Sequence, residues 1–341
     1  MDQRVGRAVG IDLARAGAVV SMYVAHVAPS TGPLGLLEVS EYLTAALFAT
    51  LVGVGAQLSA DRRGDAPWWQ VHAVAVARGL ALVLVGIMLE QWDAQVVIIL
   101  IYLGVLTLVM SVLTRLPSWA LGALAVVLLL AGPTVRDLTR EVWVQRLVSG
   151  QDEIGTPVSR ALEIFGAGDA YRLVTLLVWG CLGALLVRRW VREDREPSTA
   201  ELAGTAAVGL GVAGVVLVVA RSSVRPYSGE VPEVLLDAAL ATAVIALALL
   251  VGRRVWPGQE TTAQLGRMTL SLYVLQVGWL ALVARTKPGE PDDSWLTLTL
   301  LTLVSFLVAA VWPRIVRSGP FARGPFEGFI DLAARKIRPP A

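Results

Sequence analysis

Ten apolar runs, each long enough to cross a lipid bilayer as a helix, constrain the fold of this chain more than any other feature. A helix needs about 20 apolar residues to cross roughly 30 Å of hydrocarbon. The runs cover 9–28, 38–58, 72–90, 95–114, 118–135, 171–190, 200–220, 233–251, 265–284 and 295–313. Lipid offers no partner for backbone N–H and C=O groups, so these runs are predicted to be helices. The sequence therefore predicts an all-α polytopic membrane bundle of about ten transmembrane helices.

The composition supports one membrane domain over residues 1–341. Hydrophobic residues make up 55% of the chain and charged residues 16%, which lies outside the usual soluble range. The polar stretch 136–170 is predicted to be a loop that contains a short amphipathic helix near Val158–Phe165. Asp237 lies near the outer end of its predicted span, where we expect it to be solvated. The first run carries ionisable residues and does not resemble the core of a cleavable signal peptide.

The positions of Lys and Arg predict the orientation of the bundle. With a cytoplasmic N-terminus, 17 of these residues flank the inner ends of the runs and 8 flank the outer ends. Loops on the cytoplasmic side of membrane proteins carry an excess of Lys and Arg. Both termini are therefore predicted to be cytoplasmic, in a multi-pass protein of the inner (cytoplasmic) membrane.

Three ionisable residues, Asp12, Arg15 and His26, fall within the first apolar run. At 100° per residue, Arg15 and His26 are separated by three turns plus about 20°, so they share one helix face roughly 16 Å apart. Asp12 lies within about 60° of both. Ionisable groups are expensive inside a bilayer and usually mark a functional interior. This stripe of three residues is predicted to line an interior polar path.

The residue types in the stripe suit catalysis. Neutral imidazole accepts protons near physiological pH, so His26 is the candidate base. Arg15 offers five fixed donors, and Asp12 at the i−3 position is placed to pair with it. Two interpretations compete with catalysis. Asp12 and Arg15 would form an interfacial ion pair while His26 ends the helix, or all three would line the path of a transporter or flippase.

The same residues resemble a known family. The pattern Arg7-Ala-Val-Gly-Ile-Asp12-Leu-Ala-Arg15, continuing to Ser21-Met-Tyr-Val-Ala-His26, resembles the opening helix of bacterial membrane proteins related to heparan-α-glucosaminide N-acetyltransferase. Its Arg-x10-His spacing is shared with membrane-bound acyltransferases that O-acetylate bacterial glycans. Similar stretches are Ala45-Ala-Leu-Phe-Ala-Thr-Leu-Val-Gly53, Gly266-Arg-Met-Thr-Leu-Ser-Leu-Tyr-Val-Leu-Gln276 and Arg323-Gly-Pro-Phe-Glu327.

The resemblance implies that the chain is an acyl-CoA-dependent transmembrane acyltransferase. It implies transfer of an acetyl or other acyl group from cytoplasmic acetyl-CoA, or another acyl-CoA, to a hydroxyl or amine of an extracytoplasmic glycan or glycolipid. His26 would deprotonate the acceptor or take the acyl group itself, with Arg15 and Asp12 completing the catalytic set. Basic residues at the inner mouth would attract the CoA phosphates, and these are Arg4, Arg7, Arg62, Arg63, Arg253 and Arg254.

Further polar residues are predicted to bind substrate, and these are Tyr23, Glu41, Arg78, Arg267, Ser271, Tyr273 and Gln276. An i,i+4 step places Arg267 and Ser271 on one face of the ninth predicted helix. Glu41 begins the second helix near the level of His26, where it is a candidate to orient the imidazole. The competing interpretation is that these groups only hydrogen-bond neighbouring helices.

Other functional classes find no support in the sequence. Two histidines and one cysteine, widely spaced, give no zinc pattern, and no metal is predicted. Basic residues flank apolar runs and form no nucleic-acid surface. The predicted partners are the lipid bilayer and the glycan or glycolipid acceptor, and the sequence leaves homo-oligomerisation open.

Overall fold

The computed structural model describes residues 3–62, 67–191, 197–287 and 293–335, and all regular elements in these ranges are helical. The α-helices are α1 Gln3–Val27, α2 Val39–Asp61, α3 Trp68–Glu90, α4 Leu100–Leu113, α5 Ser118–Val148, α6 Pro157–Leu162, α7 Leu173–Val191, α8 Thr199–Val219, α9 Val231–Val251, α10 Gln259–Arg267, α11 Thr269–Thr286, α12 Trp295–Ile315 and α13 Pro325–Arg335.

Eight helices in the described ranges are long and apolar enough to cross a membrane, namely α2, α3, α5, α7, α8, α9, α11 and α12. The remaining two predicted spans are also helical. One is α1, with 25 residues including the charged stripe, and the other is α4, with 14 residues. These observations confirm the polytopic helical bundle. The side of the bundle that holds Asp12 is termed the inner side, after the predicted orientation.

The bundle has an interior and a periphery. The most apolar windows of α2 and α7 are 61% and 67% buried, whereas those of α3 and α5 are only 11% and 6% buried. The peripheral helices therefore present apolar side chains to lipid. Small residues bring α2 and α7 into backbone contact, because a β-carbon on Gly53 would lie 1.9 Å from the carbonyl oxygen of Gly180. Helix α1 lies inside the bundle and packs on α2, α9, α10, α11 and α12.

The prediction of a loop over 136–170 was wrong for its first part. Helix α5 continues to Val148, beyond its apolar run. Leu138 and Val142 lie four residues apart, so the polar residues around them extend the helix as an amphipathic segment. The short predicted helix is present as α6 and is followed by a π-helical turn at Glu163–Ala167.

The predicted span 265–284 is interrupted at Met268, where φ is −98° and ψ is 22°. The backbone N–H groups of Leu270 and Ser271 donate to Glu327 Oε1, at 2.7 and 3.0 Å. This carboxylate from α13 satisfies the first turn of α11 and lets it begin as a separate helix. The predicted i,i+4 relationship between Arg267 and Ser271 is therefore wrong, since the two residues lie on different helices.

Candidate active site

The inner end of the α1 stripe is a network of ion pairs. Asp12 Oδ1 accepts a hydrogen bond from Arg15 Nη1 at 2.8 Å, and Asp12 Oδ2 lies 3.6 Å from Arg267 Nη1. Arg267 also pairs with Glu260, and its Nε donates to Gln264 Oε1 at 2.8 Å. The Asp12 side chain is 13% exposed and the Arg15 side chain 36% exposed. A largely buried carboxylate thus fixes two guanidinium groups that remain partly accessible.

A glycine allows α10 to reach this position on α1. A β-carbon on Gly266 would lie 1.8 Å from the carbonyl oxygen of Asp12, far inside van der Waals contact. The backbones of the two helices therefore touch beside the ion pairs. Without this close approach, Arg267 would not lie next to Asp12.

The outer end of the stripe is a neutral pair. Gln276 Nε2 on α11 lies 2.9 Å from His26 Nδ1. With the amide N–H as donor, the imidazole Nε2 carries the ring proton. Gln276 Oε1 is buried and has no hydrogen-bond partner among the described residues. A half-turn of the amide would bring Oε1 to an Nδ1–H group and leave the imidazole Nε2 as a proton acceptor.

Apolar side chains fill the face of α1 between its two polar ends. Val19 and Met22 lie on this face and are 0% and 1% exposed. The neighbouring Tyr23 is fully buried, and its hydroxyl lies 2.8 Å from Ser305 Oγ on α12. Close packing therefore separates the inner and outer ends of the stripe, and the prediction of a continuous interior polar path was wrong for this conformation.

The C-terminal segment completes the inner end. Glu327 binds the Ser271 hydroxyl as well as the two N–H groups at the start of α11, and Phe326 N donates to Ser271 Oγ at 3.1 Å. Gln264 Nε2 donates to the carbonyl oxygen of Ala322 at 3.2 Å. Burial raises the pKa of Glu327 above its usual value, although the hydrogen bonds it accepts act in the opposite direction. Two short sequence motifs, around Ser271 and Glu327, thus form one structural unit.

The other predicted substrate-binding residues lie away from the stripe. Arg78 on α3 lies 3.5 Å from Asp331 on α13, and Tyr273 is buried in the core. Glu41, a candidate to orient the His26 imidazole, lies instead on a cleft at the outer ends of α2, α7 and α9. The imidazole pairs with Gln276. Asp237 lines the same cleft and is only 2% exposed, so the expectation that it is solvated was wrong. It is covered because α9 packs on both α8 and α2.

Two residues of the inner network were missed from the sequence. Glu260 and Gln264 precede the predicted span 265–284 and fall outside every predicted helix. Glu260, Gln264 and Arg267 occupy positions i, i+4 and i+7, which lie on one face of a helix. This spacing is the sequence signal that would have identified Glu260 and Gln264. Of the basic residues predicted at the inner mouth, the side chains of Arg4, Arg7 and Arg63 lie outside the described part of the chain.

The fold and the stripe define a polytopic helical membrane protein with an ion-paired inner end and a histidine toward the outer end. Residues 7–153 match the family model described as heparan-alpha-glucosaminide N-acetyltransferase, catalytic. Residues 186–330 match a second family model, described as protein of unknown function (DUF418). The resemblance drawn from the motifs is confirmed, because the part of the chain that holds the α1 stripe is similar to this acetyltransferase family. No curated protein and no solved structure gives a significant match.

Proposed function

We propose that this protein transfers an acetyl or other acyl group from cytoplasmic acyl-CoA to a hydroxyl or amine of an extracytoplasmic glycan or glycolipid. One observation carries the proposal. Both polar ends of the α1 stripe contact the same interrupted helix pair, α10 and α11, through Arg267 and Gln276. Helix α1 lies in the segment similar to the acetyltransferase family, and its partners lie in the second matched segment. The candidate site therefore joins the two segments.

The inner end suits the donor. Arg15 and Arg267 are held by Asp12 yet have 36% and 24% exposed side chains, and Arg323 nearby on the turn Pro320–Arg323 is 62% exposed. Guanidinium groups bind phosphate through paired hydrogen bonds, and CoA carries several phosphates. We assign these three arginines to recognition of the donor.

The outer end suits the chemistry. With the Gln276 amide turned so that its oxygen accepts from Nδ1–H, His26 Nε2 accepts the proton of the acceptor hydroxyl or amine while the acceptor atom attacks the thioester carbonyl carbon. The carbon–sulfur bond breaks, and the CoA thiolate takes the proton from the imidazolium and leaves as the free thiol. In a second version, Nε2 attacks the thioester carbon first and expels the CoA thiolate. The acceptor then attacks the acyl-imidazolium, its proton passes to the thiolate, and neutral His26 is regenerated. Gln276 holds the ring orientation in both versions.

Donor access requires α11 to move relative to α1. The acyl-pantetheine arm must pass the face that Val19 and Met22 now fill. The interruption of the helix at Met268 provides a point at which α11 tilts without disturbing the ion pairs of α10.

The test uses the only two histidines of the chain. Full-length protein with His26→Ala is compared with His72→Ala, which removes an imidazole that pairs with Ser111 at 2.7 Å between α3 and α4. Release of free CoA from acetyl-CoA, and labelled acetyl transfer to membrane glycans, are measured with purified protein. We expect His26→Ala to lose turnover by about a hundredfold or more, and His72→Ala to retain it.

Retained turnover in folded His26→Ala protein would refute this mechanism. The transporter or flippase alternative predicts instead substrate uptake into vesicles without release of CoA. Size-exclusion chromatography and thermal unfolding show whether each variant is folded before activity is compared.

A further inference from the structure

The outer cleft is a second polar site, separate from His26. Its lining comes from α2, α7, α9 and the segments that precede α7 and α9, and the described lining residues include neither His26 nor Gln276. The lining residues that the argument uses are Glu41, Tyr171, Arg172, Tyr227, Glu233 and Asp237. Three of these are acidic and one is basic, so the formal charge of the lining is negative.

Asp237 is the unexplained group in this cleft. Its residue is 2% exposed, and Oδ1 has no hydrogen-bond partner among the described residues. Glu233 differs, because it accepts hydrogen bonds from Tyr227 N at 2.9 Å and Gly229 N at 2.7 Å. A buried carboxylate oxygen without a donor is costly unless a ligand supplies one. Asp237 therefore points to a ligand that donates hydrogen bonds or carries positive charge.

Arg172 does not neutralise Asp237. Its Nη1 donates to the carbonyl oxygen of Tyr227 at 3.0 Å and its Nη2 to the carbonyl oxygen of Asp169 at 2.8 Å. Together with Glu233, it holds Tyr227 in a left-handed backbone conformation, with φ at 62°. A non-glycine residue adopts this conformation at a cost, and these hydrogen bonds hold the backbone of Tyr227 in it.

Aromatic rings line the cleft beside the carboxylates. Tyr227 and Tyr171 are in edge contact, with centroids 5.9 Å apart and planes at 88°. Trp179 contributes a third ring, and its Nε1 donates to the carbonyl oxygen of Val234. Burial and the nearby carboxylates of Glu41, Asp237 and Glu233 raise the pKa of Tyr227 to about 12, so its phenol stays neutral. Neutral rings next to carboxylates are the surroundings that favour organic cations.

We propose that this outer cleft binds an organic ammonium group, with Asp237 and Glu41 as its charge partners and Tyr171, Tyr227 and Trp179 as its aromatic wall. The group comes either from a free small amine or from the headgroup of an outer-leaflet phospholipid. The proposal extends beyond acyl transfer, because the cleft lies on elements other than those that hold His26 and Gln276.

The experiment measures equilibrium binding of labelled choline to the full-length protein in nanodiscs of phosphatidylglycerol. The competitors are ethanolamine and dimethylbutanol, the neutral carbon isostere of choline. We expect choline to bind, ethanolamine to displace it, and dimethylbutanol to compete at least about tenfold more weakly. The absence of choline binding, or equal competition by the neutral isostere, would overturn the proposal.

Matched variants locate the binding. Asp237→Asn, which keeps the shape of the side chain, is expected to weaken choline binding at least about tenfold. Glu153→Gln makes the same change at an exposed position and is expected to leave binding unchanged. Unaltered binding in both variants would contradict the assignment. If Asp237→Asn does not fold, Glu41→Gln replaces it with the same expectation.

A second lipid composition in the same experiment distinguishes the two sources of the ammonium group. In nanodiscs of phosphatidylethanolamine, loss of choline binding would support a lipid headgroup as the natural occupant. Choline binding of equal strength in both kinds of nanodisc would support a free amine.

Discussion

Gln276 Nε2 lies 2.9 Å from His26 Nδ1, although the two residues are 250 positions apart in the chain. Gln276 is fully buried in α11, so its amide holds the imidazole in one rotation against α1. The partner is neutral, which distinguishes this pair from a histidine held by a carboxylate. Proton acceptance at the imidazole Nε2 then depends on which end of the amide faces Nδ1.

Loss of this amide is expected to lower the chemical rate more than substrate binding. In Gln276→Leu, the imidazole keeps its place but loses the bond that sets its rotation. We expect kcat for acyl transfer to fall about tenfold to a hundredfold while KM for acetyl-CoA changes little. Gln145→Leu makes the same change on the exposed part of α5 and serves as the control. A rise in KM at constant kcat would argue against a positioning role for Gln276.

Arg15→Lys is expected to weaken use of the donor. Lysine keeps the positive charge beside Asp12 but loses the planar fork that binds phosphate at two points. We expect kcat/KM for acetyl-CoA to fall about tenfold, mainly through KM. Steady-state kinetics over a range of acetyl-CoA concentrations measures the change. Identical kinetic constants in the variant and the parent protein would show that Arg15 is only an interfacial anchor.

Asp12 and Arg267 are expected to be energetically coupled. Their side chains are 13% and 24% exposed, which lies between a surface pair and a buried one. A double-mutant cycle with Asp12→Asn and Arg267→Gln, read by thermal unfolding, is expected to give a coupling of about 1 kcal/mol. Additive effects of the two substitutions would show that the 3.6 Å approach contributes nothing to stability.

Gly266→Ala is expected to separate α10 from α1. The added methyl would overlap the carbonyl oxygen of Asp12, and this backbone cannot move without shifting both helices. We expect a loss of about 2 kcal/mol in unfolding free energy, together with a loss of acyl transfer. Gly214→Ala on α8 is the control, because no neighbouring atom lies within 4 Å of the position that its methyl would take. Equal stability of the two variants would exclude the proposed close contact.

The pH dependence of stability is expected to report on Glu327. Its pKa is raised in the folded protein, so its contribution to stability is complete below the ordinary value near 4.5 and is lost as pH rises through the raised pKa. Glu327→Gln does not titrate and lacks this part of the slope. We therefore expect the difference in Tm, variant minus parent protein, to increase as pH rises from about 4.5 toward neutrality.

A Tm difference that stays constant across this pH range would contradict the burial of the Glu327 carboxyl. Glu153→Gln, which removes an exposed carboxyl, is the matched control variant and is measured over the same pH range.

The sequence predicted the helices well because their lengths follow from the bilayer. All ten apolar runs contain a helix, but several boundaries differ from the predictions. Helix α1 begins earlier, at Gln3, α4 begins later, at Leu100, α5 continues to Val148, and the run 265–284 is interrupted before α11. The interruption at Met268 could not be predicted from the sequence. The group that accepts the first N–H groups of α11 is Glu327, 57 positions beyond Leu270. Local propensity carries no information about such a distant acceptor.

The candidate site was predicted in part. Helical periodicity alone placed Asp12 and Arg15 together and aligned His26 with them. The partners Arg267 and Gln276 were singled out for their polarity, but their pairing depends on the packing of α10 and α11 against α1. Asp237 was misplaced because nearness to a helix end suggests solvation, whereas α2 and α8 cover that end of α9.

The long chain separation between His26 and Gln276 also sets an order of assembly. During synthesis α1 leaves the ribosome long before α10 and α11, so its charged face stays without Arg267 and Gln276 until those helices follow. Glu327 emerges later still, and only then is the first turn of α11 capped. Nascent chains halted before this residue would expose polar groups to lipid, which makes them natural targets for membrane chaperones and quality-control proteases.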